Sequence, residues 1–594
     1  MEKLARYLIT TADERTWKFD QPVIFLGEWC RLHTRRHLWQ GMDAIILPPY
    51  GLGKAQKDAD HSAARIIEKT LFSRLCCTLN TYHGTHHGER FWRILLGHWF
   101  RFYVNAILNR VQTLEKCLQN SKLEGTTVFS NSCFQLASAD TYNAIWAFND
   151  DVWNNIIYSR ILQLLDVTCD PVEYTAIENP IDLRCAVKPG QKEIKKWLGE
   201  NLNKISGALG RKTDVFIARS SLPTIEEIKL QLSLRQMPRL YSSITPLITE
   251  QSDFALRAAL NDEMTEIGDD TLSKIVAALT FELLPVCYLE GFEGLANVTR
   301  HVPWPKSPKV IFTSNAFQSD EVFKLYAATK IETGSGYIVG QHGNNYGTYR
   351  YMDPSIEETT SDKFLTWGWP GWLPQHVPAF VFTTANKRNR RYSPRGSLLL
   401  LETTWPFRFT TWDGMNDPIL HFKEKEMFFE NLLPFPKANL IVRLHSTHVH
   451  FKGYEEIRWR EINDSIKLDM GTMQLNKAIA QSRLVVYSYD STGILENLAQ
   501  NIPTLAFWQN GFDHLRDTAV PFYQSLVDAR IVHFTAESAA SMINEVWDDV
   551  DSWWFSEPVQ AARKIFCDRY ARSSNHPISE LKKLLMSDTP RAQK

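Results

Sequence analysis

The sequence predicts an α/β protein of two Rossmann-like lobes facing a cleft, and three observations carry that expectation. A chain of 594 residues is too long for one hydrophobic core. Short apolar runs that end in glycine or polar residues recur along it, as buried parallel strands do when their carboxyl ends open onto loops. Between the two sets of runs lies a polar, basic stretch, Pro370 to Gly396, with four prolines.

The first set is "PVIFLGEW" (Pro22 to Trp29), "DAIILPPYG" (Asp43 to Gly51), "TDVFIARSS" (Thr213 to Ser221), "KVIFTSNA" (Lys309 to Ala316), "GYIVGQHG" (Gly336 to Gly343) and "KFLTWGW" (Lys363 to Trp369). The second is "SLLLLETT" (Ser397 to Thr404), "ANLIVRLH" (Ala438 to His445), "RLVVYSYD" (Arg483 to Asp490), "TLAFW" (Thr504 to Trp508) and "RIVHF" (Arg530 to Phe534). The boundary is placed near Pro378, which gives a first lobe over 1–377 and a second over 378–594. Helical periodicity such as "TIEEIKLQLSLRQM" predicts a helical insert over about 150–275 of the first lobe. "FWRILLGHWFRFYVNAIL" (Phe91 to Leu108) is the most apolar long segment, but Arg93, His98 and Arg101 interrupt it. A buried helix is expected there rather than a membrane span.

Charge and cysteine usage narrow the class. Lys plus Arg number 66 against 67 Asp plus Glu, a net charge of -1, so no global attraction to nucleic acid is expected. An anion must then be bound by a local arrangement. Nine cysteines without a CxxC pair fit a reducing compartment, and the N-terminus has no signal-peptide pattern. A cytoplasmic protein is expected, with peripheral contact at the inner face of the cytoplasmic membrane left open.

The richest motif is "YSYDSTGILENLAQNIPTLAFW" (Tyr487 to Trp508). A strand leads into Asp490, Ser491, Thr492 and Gly493, and Ile494, Leu495, Leu498 and Ala499 then recur on one helical face. Free N–H groups and two hydroxyls at a positive helix end make an anion site, with phosphate the favoured anion. Simple N-capping would use the same residues. Glu496 misses the capping-box spacing and is placed on a sugar or ribose hydroxyl. Arg443 and His445, in "LIVRLHSTH", end a neighbouring strand and could neutralise a phosphate without metal, although an ordinary ion pair is the alternative for Arg443. In the first lobe, Gly27 and Glu28, Ser314 and Asn315, and Gln341, His342 and Gly343 follow apolar runs as candidate cleft residues. The clusters His83/His86/His87 and His445/His448/His450 match no specific zinc spacing, so neither a metal nor another cofactor is expected. No P-loop, GxGxxG or GxSxG motif is present.

Taken together, "FLGEWC", "THHGERFWRILLGHW", "QHGNNYG", "DKFLTWGW", "LLLLETTWPF", "RLHSTH" and the "DSTGxxE" turn resemble the transferases encoded in bacterial surface-carbohydrate loci, a divergent branch of the GT-B glycosyltransferases. The resemblance runs from about Leu8 to about Asp528. It implies a GT-B-like fold whose N-terminal lobe binds the acceptor and whose C-terminal lobe binds the donor nucleotide. Its partners would be a nucleotide-sugar donor and a glycan or lipid-linked glycan acceptor, as in lipopolysaccharide or O-antigen assembly. "QHG", the Arg-x-His strand end and the Ser-Thr turn are also similar to enzymes that use CMP-activated acidic sugars such as Kdo or nonulosonates. Carried over, Arg443 and His445 would lie near the nucleotide or its phosphate, and Ser491 and Thr492 on the phosphate. The chain departs from that pattern at His445-Ser446, where many such enzymes have His-Pro.

The mechanism expected is metal-independent glycosyl transfer, with Glu28 or His342 as general base if the reaction inverts. The alternatives are a UDP- or GDP-sugar donor, transfer of another activated group such as glycerol phosphate, and, in another class, a metal-dependent hydrolase or a phosphate-ligand binding protein.

Overall fold

The computed structural model describes residues 5–130, 135–167, 169–174, 210–264, 270–352, 354–387, 392–403, 418–446, 448 and 454–587, and among these described residues sixteen strands, every pair of them parallel, form three sheets. The first sheet contains β1 (Arg6–Ile9), β2 (Val23–Phe25), β3 (Ala44–Ile46), β4 (Leu123–Phe129) and β5 (Asp170–Val172), in the order β3-β2-β1-β4-β5. The second runs in sequence order through β6 (Phe216–Ala218), β7 (Val310–Thr313), β8 (Gly336–Gly340), β9 (Lys363–Thr366) and β10 (His376–Pro378). The third contains β11 (Ser397–Leu401), β12 (Leu440–Arg443), β13 (Lys467–Asp469), β14 (Ser482–Tyr487), β15 (Thr504–Phe507) and β16 (Val532–His533), ordered β13-β12-β11-β14-β15-β16.

The parallel α/β class is as the apolar runs predict, and each of the eleven runs contains a strand. Before residue 378, however, the chain builds two sheets rather than one. The difference lies in β1 and β4, which pair with each other at the centre of the first sheet. β1 is only four residues long, and β4, "LEGTTVF", mixes glycine and threonine into its run. The stretch 150–275 is helical at Asp151–Leu164, Thr224–Ser233, Phe254–Asp262 and Thr271–Leu283, but it also supplies the edge strands β5 and β6. It is therefore part of both sheet units, and its residues 175–209 lie outside those described. The helix Asp151–Leu164 is tied to the first sheet directly: the Asn155 side chain accepts the Phe129 N–H at 2.7 Å.

Two long helices, Lys54–His83 and Glu89–Asn120, connect β3 to β4 within the first sheet, and the second of them packs on the helix Glu321–Glu332 between β7 and β8 of the second sheet. Gly84 ends the first of them at φ +63°, a left-handed cap that glycine adopts without a Cβ penalty. The apolar segment Phe91 to Leu108 lies in the second of these helices, its large side chains buried. Arg101 and Arg93 meet the buried Glu68 carboxylate at 3.0 and 3.3 Å, so the charges that interrupt the apolar pattern are paired across the helix hairpin. No described helix is long and apolar enough to cross a membrane.

The chain also returns on itself. After the third sheet, the helix Pro577–Met586 packs Leu581 and Leu585 into the second-sheet core beside Val215, Val310 and Leu365. On the way, Arg572 donates its N–H to Trp367 O at 2.9 Å and accepts the Val381 N–H at 2.9 Å. Residues beyond about 570 thus belong to the second sheet rather than to the third.

Candidate functional site

In an open parallel sheet, ligands bind where the strand order reverses, outside the strands' carboxyl ends. The third sheet reverses between β11 and β14. The turn Ser488–Ser491 and the helix Thr492–Ala499 follow β14 directly, so the "DSTG" motif occupies the reversal. Tyr489 spans it, its hydroxyl bonded to the side chains of Ser491 on one side and Thr403, just beyond β11, on the other.

Each residue of the turn has a defined part. Ser491 is the N-cap, with an extended backbone and a hydroxyl that accepts the Gly493 N–H at 3.1 Å. A Cβ on Gly493 would lie 2.5 Å from the Tyr487 hydroxyl, so only glycine lets the helix start this close to the end of β14. Asp490 points inward. Its carboxylate accepts Asn344 Nδ2 at 2.9 Å, His514 Nε2 at 3.0 Å and the Tyr523 hydroxyl at 3.0 Å, and the Tyr349 hydroxyl reaches its carbonyl at 3.0 Å. Burial, then the Asp490 charge, push the Tyr523 phenol well up, so it remains a donor. Asp490 therefore organises the turn from beneath. Glu496 is also engaged, accepting the Thr383 hydroxyl at 2.7 Å.

The second sheet closes over the same turn. β8 is followed by Gln341, His342, Gly343 and Asn344, and the Asn344 N–H donates to Thr492 Oγ1 at 3.2 Å. A Cβ on Gly343 would stand 3.2 Å from that oxygen, a tight approach that the glycine eases. Two motifs far apart in sequence, "QHGN" and "DST", thus meet as facing strand ends. Gln341 does not reach the cleft. Buried, it accepts the Trp367 N–H and Trp369 Nε1–H at 2.8 Å each and donates to Gly343 O at 2.6 Å, which sets the loop's shape. His342 is half-buried; its Nδ1 lies 3.2 Å from the Tyr346 hydroxyl, and burial lowers its pKa to about 4.

The other candidates separate from this centre. Arg443 and Tyr487 both lie in register beside Leu401, so two strand spacings, about 10 Å, stand between them. Arg443 is ion-paired with Asp469 of β13 and donates to Met473 O at 2.7 Å, which makes it the strand-end ion pair that its position also allowed. His445 is exposed just beyond it. Ser314 is buried and donates to Ser220 O at 2.9 Å, while Asn315 is exposed beyond β7.

Glu28 belongs to the first sheet. It opens a 3-10 turn whose fourth residue, Arg31, grips its carboxylate at 2.6 and 3.1 Å, and that pairing argues against Glu28 as a free base. Gly27 is needed there because a Cβ would strike the Trp29 ring at 2.2 Å. The same loop carries His33, whose Nε2 lies 2.8 Å from Glu461 in the helix that follows β12, and Arg350 beyond β8 pairs with Asp58 beyond β3 at 2.7 Å. Segments that follow strands of all three sheets are therefore in contact.

Three members of the histidine clusters, His83, His87 and His448, are engaged by neighbouring groups. His83 Nε2 lies 3.0 Å from Tyr288 O, and His87 pairs with Glu332 at 2.7 Å while stacking on Phe91. His448 Nδ1 is 2.8 Å from His445 O, and His450 lies outside the described residues. No described group of His, Cys, Asp and Glu is arranged to hold a metal ion. A cavity of about 490 Å³ lined by Phe429, Lys437 and Lys467 opens beside the starts of β12 and β13, away from the strand ends.

Sequence reading missed Asn344, Thr383, Thr403, His514 and Tyr523. Asn344 could have been found as the neighbour of Gly343 in "QHGNN"; the others have no local signal, since only folding brings them to the turn.

The fold and this site define a parallel α/β protein with its candidate residues at facing strand ends. The chain belongs to the LIC12162 family of transferases, whose match covers residues 6–585. No curated protein matches it. Among solved structures it is similar to Acinetobacter baumannii MurG (9% identity, 63% of this chain and 100% of that one, TM-score 0.33). It is also similar to the UDP complex of S. aureus MnaA (10% identity, 64% and 99%, TM-score 0.35) and to the spinosyn rhamnosyltransferase SpnG (10% identity, 63% and 99%, TM-score 0.31).

Proposed function

We propose that this transferase is a GT-B-type glycosyltransferase that takes a sugar from a nucleotide-activated donor bound at the third sheet and passes it to a glycan acceptor. One observation carries the reading. A helix start bearing Ser491 and Thr492 sits at the β11/β14 reversal, and the β8 loop of a facing sheet closes on it through Asn344. An anion held there would face residues of both sheets.

In this reaction the acceptor hydroxyl attacks the anomeric carbon, an acceptor O–C bond forms, and the bond from that carbon to the phosphate oxygen breaks. The Ser491–Thr492 helix end stabilises the leaving phosphate, with His445 and Arg443 toward the nucleotide. If the reaction inverts, His342 takes the acceptor proton; Glu28, tied to Arg31, is the weaker candidate. A CMP-activated acidic sugar is the donor favoured here, because its single phosphate ester asks only for one guanidinium, one imidazole and one helix end. A surface glycan is the acceptor class that the family resemblance implies, made at the inner face of the cytoplasmic membrane.

A thermal-shift panel of CMP, UDP, GDP, ADP and their sugar conjugates tests this, on the wild type and on Ser491→Ala and Arg443→Ala. A nucleotide that binds only the folded protein raises its Tm. A shift by CMP that both variants lose supports the donor site and the acidic-sugar class. A shift by UDP or GDP keeps the glycosyltransferase and discards CMP, and no shift with any nucleotide overturns the reading.

A further inference from the structure

His342 ends a chain of buried polar groups that the reaction above does not by itself require. Tyr346, on the same loop, donates its hydroxyl hydrogen to Glu357, the second residue of the helix Ile356–Thr360. The same hydroxyl oxygen lies 3.2 Å from His342 Nδ1. On the far side, His98 Nε2 of the helix Glu89–Asn120 is 3.4 Å from the other Glu357 oxygen. Glu357 is 3% exposed and Tyr346 2%, so this is a sealed file of polar groups leading from the core to a strand end. Its outer member sits one residue from Gly343, which packs against Thr492.

A hydroxyl that gives its only hydrogen to a carboxylate can meet His342 Nδ1 only as an acceptor. The imidazole must then carry its hydrogen on Nδ1 and keep a lone pair on Nε2, the form a general base uses. We infer that Tyr346 and Glu357 are positioning residues that hold His342 in this base-competent tautomer, an inference that rests on the glycosyl-transfer reading of the same site. When the acceptor proton moves to Nε2, the imidazolium keeps its Nδ1–H on Tyr346, and the Tyr346–Glu357 bond is unchanged.

The groups around Glu357 decide when the file is set. Burial raises its pKa to about 7, opposed by the Tyr346 bond. Tyr337 of β8 and His98 also face it, and the neighbouring Glu358 is engaged by His376 of β10 at 3.2 Å. Lys324 and Arg101 bear on His98 and, behind its burial, help hold it neutral. Above about pH 7 the Glu357 carboxylate orders the file as described. Below it, a protonated Glu357 can give its hydrogen to Tyr346, which then turns its own toward His342 Nδ1 and leaves Nε2 protonated.

The test needs no donor. Diethylpyrocarbonate acylates an imidazole nitrogen that carries a free lone pair, and mass spectrometry of the peptide holding His342 reads its rate. In the wild type the rate should climb as pH passes about 7. In Tyr346→Phe and in Glu357→Gln that climb should vanish, and in Tyr346→Phe, which loses the bond to His342 Nδ1, the rate at high pH should fall by about fivefold to tenfold, the scale of one lost hydrogen bond. Equal profiles in wild type and variants would overturn the inference, as would a wild-type His342 that never reacts. Unchanged Tm identifies a folded variant, and either one suffices if the other is destabilised. A flat nucleotide panel would sink the donor site without touching this result, so the two failures are distinguishable.

Discussion

The ends of β14 and β12 carry similar chemistry, since each offers hydroxyl or cationic side chains just past a buried strand, yet they are built differently. At β14, the Asp490 carboxylate takes three side-chain donors, Gly493 packs on Tyr487, and the second sheet reaches across to Thr492. At β12, Arg443 is satisfied within its own sheet by Asp469 and Met473, and His445 is exposed. The first end is a preorganised helix start whose shape depends on interlobe contacts. The second is a cationic margin that a ligand can recruit only by competing with Asp469. Preorganised donors gain more from an arriving anion, because they have already met their ordering cost.

Three substitutions would break or sharpen that contrast. Asp490→Ala has the largest expected effect: it orphans the donors of Asn344, His514 and Tyr523, at about 1–3 kcal/mol for each donor left buried without an acceptor. Chemical denaturation measures this, and a loss below about 1 kcal/mol would mean that the turn does not depend on its buried anion. Gly493→Ala comes next. Its new methyl meets the Tyr487 hydroxyl, and overpacking of that kind costs about 1–3 kcal/mol; a crystal structure of the variant should show the helix start displaced from β14. Arg443→Ala should be the mildest for stability, about 1–2 kcal/mol, since it loses one charged pair with Asp469 and one bond to Met473 O beside the edge strand β13. Any nucleotide-induced rise in Tm should nevertheless shrink in this variant. If Arg443→Ala were as damaging to the fold as Asp490→Ala, the contrast between the two ends would be lost.

Periodicity and turn chemistry made much of the third sheet legible. Its apolar runs gave five of its six strands, and "DSTG" after β14 marked the helix start and its N-cap. β13, "KLD", escaped because a three-residue edge strand with charged ends carries no apolar signal. The candidate site was only partly readable. Ser491, Thr492 and Gly493 stand where a strand-turn-helix reading puts them, and Gly343 was marked by its place after β8. Glu28, Gln341, Ser314 and Glu496 occupy equivalent local positions yet are spent on Arg31, on two tryptophans, on Ser220 and on Thr383. Position at a strand end says that a side chain can reach a cleft; it does not say whether another part of the chain reaches that side chain first.

By itself, the sequence determined the parallel α/β class, most of the strands and the local form of the β14 turn, because these depend on burial patterns and hydrogen bonds within a few residues. Only the tertiary structure decided that residues before 378 form two sheets, that the helix Pro577–Met586 returns to the second, and that Asn344 meets Thr492. The file from His98 through Glu357 and Tyr346 to His342 likewise needed the fold. Its members lie as far apart in sequence as His98 and Glu357, yet close contacts link them. No local pattern encodes a contact whose partners are held together by the packing of three separate sheets and the helices between them.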